Sequence, residues 1–290
     1  MADEFPEIPK WISFTKTWHT KPYPFISPER PELSAASKNV VVAGGGTGIG
    51  KATAIAFAQA GAASVSILGR RANRLEEAAQ EIRAAGPKTT VITEGADMSQ
   101  RAEAVAALKN IANKVGKVHV FMWCAGILPR VAPVLGYDEE EFRRSFELMT
   151  LSAFNAIQAV LPVATPDAKI INVSSGIAHI NPMPGVFTYA MYKLAVVKMF
   201  DYLAAENPKL HIVNTQPGVI KTEINADTDV EGQDEIELPA SFHVWLASPE
   251  AEFLKSKYVW VNWDAEELVS RKDEIKNSML FRILLEGMPM

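Results

Sequence analysis

A chain of 290 residues with 48% hydrophobic side chains can fill one large core, and its single cysteine, Cys124, excludes an internal disulfide. A net charge of -5 with no basic cluster argues against nucleic acid as a main partner. The start is acidic and proline-interrupted, and no charge-free apolar run is long enough to span a membrane. The expectation is therefore a cytoplasmic protein with no membrane partner.

Residues 1–37 form a leader rich in proline and aromatic side chains: Phe5, Trp11, Phe14, Trp18, Tyr23 and Phe25. Disordered tails are poor in aromatics, so the leader should lie along the body or a partner subunit, with those rings as anchors. The body, 38–290, opens with the apolar run 39–43, then Gly44-Gly45-Gly46-Thr47-Gly48-Ile49-Gly50, then a helical pattern from about 48 to 58. A tight strand-to-helix turn of this kind lets the backbone approach a pyrophosphate and points free N–H groups at it. Alone the motif is weak, and the alternating pattern that follows supplies its context. Strands are expected at 63–68, 89–93, 118–124, 169–173, 210–215 and 258–261, and helices at 73–85, 99–115, about 138–161 and 188–206. Near-continuous apolar strands alternating with helices imply an α/β fold: a single Rossmann-type, doubly wound parallel sheet of about seven strands, covered by helices on both faces.

Ligands of such a sheet bind beyond the carboxyl ends of its strands. The second strand is followed by Gly69-Arg70-Arg71, where an NAD site usually places a carboxylate. An arginine there suits a 2′-phosphate, and Arg70 is the stronger candidate of the two. Asp97-Met98, after the third strand, is placed to meet an adenine edge, with a helix cap as the alternative role for Asp97. Tyr189 and Lys193 stand one helical turn apart, and an ammonium beside a phenol favours phenolate and brings the group toward acid/base chemistry; by itself such spacing is common, and a half-buried surface pair is the plainer reading. Tyr192 points elsewhere. Ser174 and Ser175, ending the preceding strand, offer hydroxyls to a substrate carbonyl or to a turn.

Taken in order, the segments GGGTGIG, GRR, DMS, WCAG, NVSSG, YAMYK and QPGVIKT resemble the short-chain dehydrogenase/reductases over about 38–262. The leader FTKTWHTKPYPFI and the tail WVNWDAEEL are similar to a fungal subset, whose place would be in secondary metabolism. The resemblance implies NADP(H) as cofactor and no metal. Gly44, Thr47, Gly48, Ile49 and Gly50 would carry the pyrophosphate, Arg70, Asp97 and Met98 the adenosine end. Ala125, Gly126, Pro217, Gly218, Ile220 and Thr222 would line the nicotinamide end. Tyr189 would be the general acid/base, Lys193 would lower its pKa and hold the ribose, and Ser175 would polarise the carbonyl. A homodimer or homotetramer through the two long helices is also implied, with Phe146, Phe154, Val196, Val197 and Phe200 as the apolar residues in question.

Several positions depart from the family pattern: Ala43 and Thr47 at the glycine turn, Trp123 where an asparagine is usual, and Met149 at the asparagine of the proton relay. Ser175 is also one residue farther from Tyr189 than usual. A thioether cannot donate a hydrogen bond, so Met149 cannot hold the relay water as an asparagine side chain would. Substrate contacts are expected from 127–135, 176–188 and an acidic lid at about 222–240. The reading is an oxidoreductase acting on a bulky, largely apolar carbonyl compound or its alcohol. A non-redox dehydratase or cyclase on the same scaffold, and a catalytically silent NADPH-binding sensor, are the alternatives.

Overall fold

The computed structural model describes residues 13–285, so Phe5 and Trp11 of the leader lie outside the described residues. Seven strands form one sheet: β1 (Asn39–Ala43), β2 (Ser64–Gly69), β3 (Thr90–Gly95), β4 (Val118–Trp123), β5 (Ala164–Val173), β6 (His211–Gln216) and β7 (Lys257–Trp260). Their order is β3-β2-β1-β4-β5-β6-β7, and every neighbouring pair is parallel. Val40 to Ala43 are completely buried, which explains why β1 reads as a continuous apolar run rather than an alternating one. One core packs α1 (Gly48–Gln59), α2 (Ala72–Ala85) and α7 (Glu237–Leu246) on one face. The other packs α3 (Arg101–Val115), α5 (Ser152–Val160) and α6 (Phe187–Glu206) on the opposite face.

The chain winds outward from β1 through β2 to β3, then crosses back to place β4 on the other side of β1. The reversal opens a crevice above the carboxyl ends of β1 and β4, where Ala43 lies beside both Leu68 and Trp123. Trp123 is 2% exposed and serves the core, so its bulk does not enter the crevice.

The long helical pattern is not one regular helix. α4 (Glu139–Phe146) is capped by the Asp138 carboxylate on the Glu141 N–H and carries three glutamates in its first turn, as the helix dipole favours. A π-helical turn, Glu147–Leu151, then joins it to α5. The whole stretch Glu139–Val163 is long and apolar enough to cross a bilayer by length and composition, but half of its apolar 18-residue window is buried inside the fold. Two short helices, α8 (Ala265–Ser270) and α9 (Lys272–Lys276), are the last among the described residues.

The expected lid at about 222–240 ends earlier than its acidic composition suggests. From Glu237 the chain is α7, whose residues Leu238 to Leu246 are all buried. A helix apolar on every side has no stripe for a periodicity reading to find. The described part of the leader packs beside the segment that follows β7: Trp18 bridges Trp263, Phe14 meets Trp263 and Phe281, and Arg271 lies 3.5 Å above the Phe14 ring. His19 stacks on Tyr23 and bonds the Asp264 carboxylate at 2.8 Å.

Candidate active site

The glycine turn closes on itself so tightly that a Cβ on Gly50 would lie 2.2 Å from the Gly44 carbonyl oxygen. Gly44 in turn adopts φ +84° beneath the backbone of Ala125. No side chain fits at either position without moving the backbone. Thr47, preceding α1, makes no side-chain cap, so the first N–H groups of the helix face the crevice with their positive dipole end. That is an anion cradle, and its donors suit a pyrophosphate.

Gly44, Thr47, Gly48, Ile49 and Gly50 line one cleft with Arg70, Asp97 and Met98 at its outer end. Ala125, Gly126, Pro217 and Thr222 border its inner part, where Tyr189 and Lys193 also face it. Ile220 does not line the cleft: it is 7% exposed and packs inward. Gly218 does not line it either, because its bare Cα is covered by Asp234. Asp97 does not cap α3, which is preceded by Gln100; its carboxylate accepts the N–H and hydroxyl of Ser99 at 2.9 and 2.8 Å and fixes the turn. Sequence reasoning missed Arg74 and Glu223, which also border the outer end. Arg74 carried a signal, being one turn into α2 from Arg71; Glu223 carried none.

At the inner end, Tyr189 and Lys193 project from the first two turns of α6. The Lys193 amine is buried, donates to the Val173 carbonyl at 2.9 Å and lies 5.7 Å from the Tyr189 ring centre. Burial pulls its pKa down to about 8. Burial also pushes the Tyr189 phenol up to about 12, with the Ser175 hydroxyl facing it and partly offsetting the rise. The expected lowering of the phenol by Lys193 is not what sets this site, because the ammonium is turned onto Val173. Ser175 does not border the cleft itself and approaches Tyr189 from the side. Its backbone is pinned: the Tyr258 hydroxyl donates to the Ser175 carbonyl, and the Gly176 N–H donates to Gln216, each at 2.8 Å. Between Ser175 and Tyr189 the chain runs through the short turn Gly176–Ala178 and the loop before α6. Tyr192 points away and donates to the Phe142 carbonyl at 2.7 Å.

Met149 sits on the π-helical turn with its sulfur accepting the Ile127 N–H at 3.1 Å. A Cβ on Gly126 would lie 3.4 Å from that sulfur and 3.9 Å from the Lys193 amine. Met149 thus braces the turn after β4 beside the lysine. The segments after β4 and β5 meet where the Ala132 N–H donates to the Gly185 carbonyl at 2.9 Å. They expose Val131, Val134, Leu135 and Met183 to solvent.

The comparisons with known proteins agree on this architecture. The family model "short chain dehydrogenase" matches residues 38–232. A short chain dehydrogenase/reductase of Claviceps purpurea is 34% identical over 272 residues, covering 90% of each chain. The short chain dehydrogenase/reductase AacuD of Aspergillus aculeatus is 31% identical over 273 residues, covering 92% of this chain and 94% of its own. Among solved structures, a short-chain type dehydrogenase/reductase from Mycobacterium ulcerans superposes with a TM-score of 0.72 at 25% identity, over 79% of this chain and 89% of that one. With the glycine cradle, the parallel sheet and the Tyr189–Lys193 helix in one chain, this protein belongs to the short-chain dehydrogenase/reductase family of oxidoreductases.

Proposed function

We propose that the protein is an NADPH-dependent reductase of a bulky, largely apolar carbonyl compound, able to run the reverse alcohol oxidation. The observation that carries this is Tyr189: a half-buried phenol facing Ser175, its pKa raised by desolvation, at the edge of a cleft whose floor is an anion cradle. Gly44 to Gly50 would hold the pyrophosphate, Arg70 the 2′-phosphate, and Lys193 the nicotinamide ribose. When bound, the cofactor supplies a hydride to the carbonyl carbon. The Ser175 hydroxyl orients the carbonyl oxygen, and Tyr189 gives that oxygen its proton. A phenol held protonated at neutral pH suits the reductive direction. The exposed Val131, Val134, Leu135 and Met183 favour an apolar substrate. Purified protein mixed with a panel of ketones, with NADPH absorbance followed, tests the reading. Absence of turnover across the panel would favour the silent sensor. A reducing cytoplasmic location, in fungal secondary metabolism, fits the lone thiol and the fungal relatives.

Cofactor choice rests on Arg70, with Gly69 leaving no carboxylate at the end of β2. A charge-assisted hydrogen bond is worth roughly 1.5–3 kcal/mol, or about ten- to hundredfold in affinity. Arg70→Ala is expected to weaken NADPH binding by about that factor and leave NADH binding unchanged, as measured by fluorescence titration. Equal affinity of the unmutated protein for the two cofactors defeats the argument.

Assembly is proposed on the same helices as the family. Val196, Val197 and Phe200 are spent on the core, but Phe146, Phe154, Met191, Leu194 and Tyr202 remain exposed. Covering that patch with a second copy gives a homodimer, or a homotetramer if a further interface closes the symmetry. Light scattering at micromolar concentration is expected to show at least a dimer, and a monomer would end the proposal.

A further inference from the structure

The segment that follows β6 is a closed loop with a fixed foot. The Gln233 and Asp234 N–H groups donate to the Val219 carbonyl at 2.8 and 3.2 Å, and the Val219 N–H donates to the Asp234 carboxylate at 2.7 Å. Gly218 makes this approach feasible: at φ +89°, a Cβ there would lie 2.6 Å from Asp234 Oδ2. The other Asp234 oxygen accepts from Asn262 at 2.8 Å, and the Glu235 N–H donates to the leader carbonyl of Thr20, also at 2.8 Å. Inside the loop, Lys221 donates to the carbonyls of Asn225 and Thr228, and Thr222 and Asn225 cap each other. The foot is thus tied to the turn after β7 and to the leader, and the loop interior is largely satisfied by its own groups.

Its far side reaches across the cofactor cleft. Thr222 lies over Gly48, where a Cβ would be 3.4 Å from its methyl carbon. Next to it, the two oxygens of Glu223 divide between two arginines on the opposite wall: Oε2 on Arg71 Nη1 at 3.0 Å and Oε1 on Arg74 Nη2 at 2.9 Å. Both arginines flank Arg70 at the outer end of the cleft.

We infer that Glu223 is a specificity-determining latch: its carboxylate holds Arg71 and Arg74 across the cleft, and a cofactor 2′-phosphate takes those arginines from it. This rests on the NADP(H) reading above. The two ion pairs are solvent-exposed, which makes each of them weak and exchangeable. A phosphate dianion offers more charge and three acceptor oxygens to the same guanidinium groups, so it displaces the Glu223 carboxylate, while Glu77, 2.9 Å from Arg74 on α2, stays paired beside it. A cofactor without that phosphate leaves the latch shut. The strap over the cleft therefore responds to which cofactor has bound, and it carries that response into the segment expected to contact substrate. By reciprocity, whatever weakens the latch strengthens phosphate binding.

The test uses the full chain, with adenosine 2′,5′-bisphosphate and adenosine 5′-monophosphate as probes. Glu223→Gln keeps the side chain's size at an exposed position and removes its charge. By calorimetry the variant is expected to bind the bisphosphate about two- to thirtyfold tighter, the sum of two exposed pairs, with monophosphate affinity unchanged. Hydrogen exchange gives a second readout. Amides of 219–234 should exchange faster in the free variant, and in the unmutated protein only when the bisphosphate is added. A variant that binds the bisphosphate no tighter overturns the latch, as does a strap whose exchange the bisphosphate leaves unmoved or slows. If the unmutated protein shows no preference for the bisphosphate, the NADP(H) reading falls. Faster exchange in the free Glu223→Gln protein would then still establish the ionic tie by itself.

Discussion

Tyr189→Phe is expected to lower carbonyl reduction by about a hundred- to ten-thousandfold, the usual worth of a positioned general acid, while NADPH affinity stays within a few-fold. The substitution removes one oxygen and leaves the ring that packs beside Lys193, so cofactor binding through the glycine cradle is untouched. Steady-state turnover and a cofactor titration on the same preparation separate the two effects. The structure sharpens the expectation in one respect. With its phenol raised to about 12, Tyr189 is a proton donor at neutral pH and a poor base. Reduction should therefore run near neutrality, and oxidation of the alcohol should gain as pH rises. Retained turnover in Tyr189→Phe would reject the acid role and move the reading to non-redox chemistry on this scaffold. Ser175→Ala should show a smaller loss, because its hydroxyl orients the carbonyl and bears on the phenol without giving up the proton.

What was legible in the sequence is what depends on local pattern. The strands and most helices follow from apolar runs and periodicity, and the Tyr189–Lys193 pair follows from one helical turn. The glycine turn was legible for a different reason: backbone-to-backbone contact at Gly50 leaves no alternative residue, so the letters state the geometry. Features made by distant contacts were not. Nothing near Glu223 announces that it will meet Arg71 and Arg74, some 150 residues earlier in the chain. Asp234 read as one more acid of a solvated lid, yet its two oxygens join Val219 to Asn262. Met149 read as a lost relay residue; only the π-helical turn shows its sulfur bracing Ile127 beside the lysine. α7 escaped because acidic residues lead directly into it and its own side chains are buried on all sides.

Acidification is expected to remove several kcal/mol of folding stability between pH 7 and pH 4, and His243 is its main source. This imidazole is completely buried on α7, between the hydroxyls of Thr53 at 3.0 Å and Thr215 at 3.3 Å. No charged group offsets its desolvation, which lowers its pKa from 6.5 to about 3. The sign follows from proton counting. Between those two values the unfolded chain binds a proton that the folded chain refuses, so stability rises with pH and is lost as pH falls below about 6.5. Each unit costs about 1.4 kcal/mol, or about 3 kcal/mol by pH 4, against a typical total of about 5–15 kcal/mol. His211 acts in the same direction, lowered to about 4 by burial and by Lys169. Its contribution is smaller because the Glu252 carboxylate, 3.7 Å away, receives the charge once it forms. Asp201 and Asp234, raised by burial, act in the opposite sense and take back part of the loss. Urea midpoints measured from pH 7 to pH 4 should fall steadily for the parent protein. His243→Gln keeps an acceptor and a donor for the two threonines but cannot titrate. It should be less stable than the parent at pH 7 and markedly flatter with pH. A variant whose stability falls as steeply as the parent's would show that the acid sensitivity belongs to other groups, with His211→Gln the next to measure.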